Sequence, residues 1–164
     1  GNPNNFKLPR PMLHRKNADF SLSGLKTALF RLAEKQTLNS KTKSDLAASF
    51  QLAVADILED RCKNGLNITK DINSECTNFI VAGGVAANKV IRKRLKDLSE
   101  SYGFNIYYPP IEICTDNAAM IAWNGIEKIS HYGIKNVDDY NFEPRTRWPL
   151  DPDAKAIRNA KEAR

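Results

Sequence analysis

Phe79-Ile80-Val81-Ala82-Gly83-Gly84-Val85-Ala86-Ala87-Asn88 is the stretch on which the reading of the fold turns. Bulky apolar residues lead into two glycines, and a helix-compatible run follows. Phe79, Ile80 and Val81 favour a pleated, buried strand. Gly83 and Gly84 tolerate backbone angles closed to other residues and let a ligand approach the main chain. The helix beyond them offers unpaired N–H groups and the positive end of its dipole, which together hold a phosphate or an adenosine. Taken alone, a Gly-Gly pair between strand and helix equally describes an ordinary turn.

Working outward, the strand spans Cys76 to Ala82 and the helix after the glycines runs to about Tyr102. Ala87, Ile91, Leu95, Leu98 and Tyr102 fall on its inner face. Lys89, Arg92, Lys93, Arg94 and Lys96 crowd the rest, a pattern that suits either phosphate contact or a solvated outer face. Gly103 ends this helix, and Phe104 to Tyr108 reads as a short strand stopped by Pro109 and Pro110. Two strands joined by a helix make a parallel βαβ unit. Cys114-Thr115-Asp116-Asn117-Ala118-Ala119-Met120 then opens a helix that continues to about Tyr132, from Thr115 or Asp116 onward.

Upstream, residues 1 to 18 carry three prolines and four cations and read as an extended basic arm or a surface loop. Leu22, Leu25, Leu29 and Leu32 recur at helical spacing after a cap at Ser21 or Ser23. A second helix runs from about Lys43 to Lys63, with Thr42 and Asp45 as a capping box and Leu46, Phe50, Val54, Ile57 and Leu58 along one face. Gly65 reads as its stop and Asn64 to Ser74 as a polar loop. Two strands among four helices are few for an open parallel sheet, which points to part of a larger α/β fold.

The 164 residues suffice for one domain with a core, and no apolar run is long enough to span a bilayer. Three cysteines without CxxC spacing, and no basic-apolar leader, argue for a reducing, cytoplasmic setting. The formal net charge of +6 suits an RNA or DNA partner and equally an ordinary soluble domain. Ser21 and Ser23 lack His and Asp partners, and neither a Walker lysine pattern, GxSxG nor HExxH is present, so hydrolase and peptidase chemistry finds no support. Asp116 reads first as an N-cap or first-turn acid that suits the helix dipole, and alternatively as a hard oxygen ligand for a metal. Asn88 is an exposed first-turn amide, or one that donates and accepts toward a ribose or adenine edge. His14 and His131 have no ligand spacing, and Cys114 suits an inert buried thiol.

Five stretches in order resemble the universal tRNA threonylcarbamoyltransferase (TsaD) family, formerly called O-sialoglycoprotein endopeptidase. Leu8-Pro9-Arg10-Pro11-Met12 is similar to its FPRPM stretch, and Asp19 to Thr27 to DFSFSGLKT, with Leu22 in place of a Phe. Val81 to Asn88 matches VAGGVAAN, Pro109-Pro110 with Cys114 to Met120 matches PP…CTDNAAM, and Arg147 to Leu150 resembles RWPL. The resemblance implies part of the C-terminal lobe of a two-lobed actin/Hsp70/sugar-kinase (RNase H-like) fold. Residues 1–150 would belong to that lobe and 151–164 to a charged tail. It implies transfer of threonylcarbamoyl from threonylcarbamoyl-AMP to N6 of adenosine 37 in ANN-decoding tRNAs, with TsaB and TsaE as pathway partners and no membrane. Asn88, Gly83 and Gly84 would contact the adenylate, and Asp116 would be one ligand of an iron or zinc ion. No residue would be a catalytic nucleophile.

The departure is an absence. The family's HxxxH metal ligands and its SGGHT-type stretch belong to the N-terminal lobe, and this chain contains neither. The expectation is therefore a C-terminal part, inactive alone, that needs the N-terminal lobe or a second chain. A non-catalytic scaffold, a basic RNA-binding module and an ATP-driven kinase or chaperone-like relative remain as alternatives.

Overall fold

The computed structural model of the chain describes residues 1–136 and 143, so the Arg145–Leu150 stretch and the tail lie outside the described residues. The element order is α1 (Leu25–Glu34), α2 (Ser40–Ile72), β1 (Asn78–Ile80), a 3-10 turn (Gly84–Ala87), α3 (Lys89–Ser101), β2 (Asn105–Tyr107), a second 3-10 turn (Ile111–Ile113), α4 (Ala118–Tyr132) and a third 3-10 turn (Ile134–Asn136). The architecture is α/β, helix-rich with few strands. The chain divides into two compact units, Gly1–Asn117 and Ala118–Arg164.

In the first unit β1 and β2 pair in parallel, Phe79 opposite Ile106, with α3 as the crossover. The ladder is shorter than the sequence suggests, although Asn105 N–H to Thr77 O (2.7 Å) and Val81 N–H to Tyr107 O (3.0 Å) extend it at each end. Among the described residues one face is covered: Phe79 and Ile106 pack on the core, while Ile80 and Tyr107 are exposed. The core joins Leu25 of α1, Ala53, Val54 and Ile57 of α2, and Ile91, Leu95 and Leu98 of α3, with Phe104 closing it. Gly103, at φ 71°, ends α3 as its position predicts.

The largest departure is α2, which continues through Gly65 to Ile72 and at 33 residues is about 50 Å long. Gly65 costs such a helix about 1 kcal/mol relative to Ala. Leu66, buried in the core just beyond it, offsets that cost. The cap is Asn39, whose side chain accepts from Thr42 N–H at 2.8 Å, rather than a box at Thr42. Asp45 instead accepts from Asn2 N–H and Asn5 Nδ2, each at 2.6 Å, and the Asn2 N–H holds its carboxyl below the usual range. At α1 neither serine caps: Gly24 is the N-cap residue, at φ 81°, and the Ser21 hydroxyl accepts from Ser23 N–H at 3.1 Å.

The N-terminal arm is not a loose basic segment. It is strapped along α2 by a polar stripe on that helix. Phe6 N–H donates to Ser49 Oγ (3.3 Å), Arg10 pairs with Asp56 (2.7 Å), and His14 N–H donates to Asp60 (3.1 Å). Arg61, 3% exposed, donates to the carbonyls of Arg15 and Asn17, each at 2.8 Å, and pairs with Asp60.

The second unit is described by α4 and the turn after it. Gly133, at φ 79°, closes α4 through its N–H to Ile129 O at 2.9 Å. His131 meets Tyr132 edge-on, 4.6 Å between centroids, as a packing residue. No α4 residue is buried.

Candidate functional site

Gly83 sits at φ 87°, ψ 174°, a conformation that requires glycine. Gly84 begins the 3-10 turn with no such demand, and no heavy atom lies within 4 Å of where a Cβ would stand on either residue. The space above the pair is open to a ligand. The intervening 3-10 turn, unforeseen from the sequence, delays α3 to Lys89 and makes Asn88 its N-cap.

Asn88 is half-buried rather than exposed, and its amide oxygen is engaged by the helix start. Its Oδ1 accepts from Val90 N–H (3.0 Å) and Ile91 N–H (3.2 Å), and its Nδ2 donates to Gln51 Oε1 at 3.1 Å. Two of the N–H groups that a phosphate was expected to meet at this helix start are thus taken by the cap. What remains for a ligand is the glycine backbone and the Asn88–Gln51 amide pair. Gly84 and the amide pair line a cleft of about 540 Å³ whose walls are otherwise apolar, from Leu29, Ala47, Phe50, Val54, Val85 and Ile91. An apolar cleft with two convergent amides suits a flat, hydrogen-bonding group such as a nucleobase or ribose. Gln51 was missed because it reads as one polar position beside an apolar stripe.

Asp116 lies in the turn before α4, two residues ahead of the helix, and is exposed. Asn117 Nδ2 shapes this turn by donating to Ile113 O (3.2 Å) and Thr115 O (2.9 Å). No group of three or more His, Cys, Asp or Glu side chains is placed to hold a metal among the described residues. By itself Asp116 offers a metal no more than one carboxylate. His14, exposed and 3.7 Å from Asp60, takes no part. Cys62 is a core thiol that burial pushes up from its ordinary pKa, so it is a poor nucleophile.

The turn at Gly83–Ala87 and the segment leading to Asp116 are both held by Arg92, read from the sequence as one of five surface cations. Its guanidinium donates to Ala86 O, to Pro109 O (2.8 Å) and to Cys114 Sγ (3.2 Å), and lies 4.6 Å from the Tyr108 ring centroid. The other cations of the run are largely neutralised: Lys93 pairs with Asp97, Lys96 with Glu100, and Arg94 with Asp56 and Glu59. That distribution leaves α3 a mixed-charge face rather than a phosphate-binding stripe. No helix among the described residues is long and apolar enough to cross a membrane.

The same segments carry the likeness to known proteins. A family sequence model described as TsaD, tRNA N6-adenosine threonylcarbamoyltransferase, matches residues 1–123. Relatives named tRNA N6-adenosine threonylcarbamoyltransferase include one from Rhodospirillum rubrum, 46% identical over 157 residues, covering 94% of this chain and 42% of the relative. Another, from Methylocapsa acidiphila, is 46% identical over 164 residues, covering 98% of this chain and 45% of the relative. A third, from Ehrlichia chaffeensis, is 43% identical over 152 residues, covering 92% and 43%. The chain thus spans less than half the length of these curated relatives. With the glycine turn, the Asn88 cap and the Asp116 turn all inside the matched residues, this chain belongs to the tRNA N6-adenosine threonylcarbamoyltransferase family.

Proposed function

We propose that this chain supplies the adenylate-binding half of an enzyme that moves threonylcarbamoyl from threonylcarbamoyl-AMP to N6 of adenosine 37 in ANN-decoding tRNAs. The observation that carries the reading is the cleft beside Gly84 in which Asn88 and Gln51 present their amides. Gly83 and Gly84 lie against the nucleotide part. Asn88 keeps Oδ1 on the α3 cap and one Nδ2 hydrogen on Gln51, and offers its second Nδ2 hydrogen to the ligand. Asp116 gives one carboxylate ligand to an iron or zinc ion. That ion, when bound, supplies Lewis-acid polarisation of the carbamoyl carbonyl. The adenosine N6 amine forms the new N–C bond and gives up one proton to solvent, the C–O bond to the phosphate breaks, and AMP leaves. The chemistry needs positioning and electrostatics and no protein nucleophile.

Residues 1–150 are proposed as part of the C-terminal lobe of an actin/Hsp70/sugar-kinase-like fold, with 151–164 as a tail. The remaining ligands come from an N-terminal lobe or a second chain, with TsaB and TsaE as pathway partners in the cytoplasm. Asp116 alone cannot complete the site. The 164-residue chain by itself is therefore expected to leave tRNA unmodified, checked by measuring modified adenosine in tRNA after incubation with threonylcarbamoyl-AMP and metal. Turnover by this chain alone would sink the two-part reading.

Asn88→Asp tests the adenylate reading. Aspartate caps a helix as well as asparagine. It lacks the N–H donor and brings negative charge toward a phosphate. In the complete gene product, adenylate-analogue affinity is expected to fall at least about tenfold, or 1.4 kcal/mol, with little change in melting temperature. Unchanged affinity would remove Asn88 from the site.

A further inference from the structure

We infer that Arg92 is a positioning residue that fixes the Gly83–Ala87 turn and the Pro109–Asp116 segment relative to one another, so that occupancy by the adenylate and by the metal are coupled through it. The inference rests on the site reading given above. Backbone pairing between the two strand ends stops at Val81 N–H to Tyr107 O, 3.0 Å, before either segment reaches its site residues. Beyond that point one guanidinium reaches both. It donates to Ala86 O on one side and to Pro109 O (2.8 Å) and Cys114 Sγ (3.2 Å) on the other.

Two features make this a fixed bridge. Tyr108 lies along the guanidinium and its hydroxyl donates to the Arg92 carbonyl at 2.8 Å, tying the same residue through its main chain. Burial raises the Tyr108 phenol above its ordinary pKa, although Arg92 acts to lower it, so the donor stays protonated. Among the described residues Arg92 has no carboxylate partner, unlike Lys93, Arg94 and Lys96 of the same helix. Its Nε donates to one segment and one terminal nitrogen to the other. A planar fork makes several simultaneous bonds in fixed directions, whereas the compact ammonium of lysine does not. Binding at one segment therefore changes the free energy of binding at the other, and the effect is reciprocal.

The test uses the complete gene product, with AMP and Zn²⁺ as probes in titration calorimetry. AMP affinity is measured with and without Zn²⁺, and the ratio is the coupling. In the unmodified protein the ratio is expected to be about fivefold or more. In Arg92→Lys it should fall to within about twofold of unity while each probe still binds, which loss of a merely structural contact would not single out. Cys114→Ala removes one of the two contacts at the far end of the bridge, leaving that to Pro109 O, without touching the arginine, and should give an intermediate ratio. It decides the matter if Arg92→Lys fails to fold. A ratio near unity in the unmodified protein, or one unchanged in the variants, overturns the coupling role and leaves the site reading standing. Zn²⁺ affinity unchanged in Asp116→Ala overturns the metal site, and the coupling inference with it.

Discussion

Replacing Asp116 with alanine in the complete gene product is expected to cut threonylcarbamoyl transfer at least about 1000-fold, because on the reading proposed above it removes a metal ligand and with it several kcal/mol of transition-state stabilisation. Asp116 is exposed and lies outside α4, so its removal leaves the packed core untouched. The loss should therefore come without a change in melting temperature, and with bound metal reduced in parallel. Asp116→Asn keeps the size and one oxygen donor and should lie between the two. The measurement is modified adenosine per tRNA together with metal content per protein. Normal transfer by Asp116→Ala would show that this carboxylate serves the turn alone.

The second large effect concerns stability. Arg61→Met is expected to destabilise the protein by about 3 kcal/mol, since it strips the buried partner from Asp60. For a protein of this size that lowers the melting temperature by roughly 9 °C. The carbonyls of Arg15 and Asn17 keep a donor in Asn64 Nδ2, so the loss falls chiefly on the carboxylate. Burial pushes the Asp60 carboxyl up, but hydrogen bonds from Arg61 and His14 N–H outweigh it and hold the group below its ordinary pKa. A depressed carboxylate stabilises the fold above its unfolded pKa, and that contribution is lost as pH falls through the folded value. The parent and Arg61→Met should therefore converge in stability at low pH. Thermal melts over a pH series check both statements. A constant gap between the two proteins would mean that Arg61 acts by packing alone.

What the sequence showed plainly was whatever repeats at a regular spacing. The apolar stripe of Leu46, Val54 and Ile57, the α3 stripe of Ile91, Leu95 and Leu98, the parallel pair with its crossover, and the helix stop at Gly103 all follow from periodicity and turn chemistry. The polar stripe of Asp45, Ser49, Asp56 and Asp60 was hidden because acids on an outer helix face ordinarily meet water. Here they meet a strap of chain more than 40 residues away. Gly65 misled for a similar reason, since tertiary contacts from Leu66 overrode a weak local propensity. At the site, Gly83, Gly84 and Asn88 were legible as motif residues. Arg92 and Gln51 were not, because their meaning lies in partners from 17 to 37 residues away.

The Asn88 amide serves the helix cap and the cleft at once, and this narrows what that position can become. Serine or threonine would cap α3 but fall short of Gln51. Glutamine carries the same amide one methylene too far out to close the cap. Aspartate caps well but turns a negative charge toward the cleft. Each of these alternatives gives up one task to keep the other. On the reading proposed above, an effort to admit a different nucleoside would leave Asn88 alone and search the apolar wall at Leu29, Phe50 and Val85 instead.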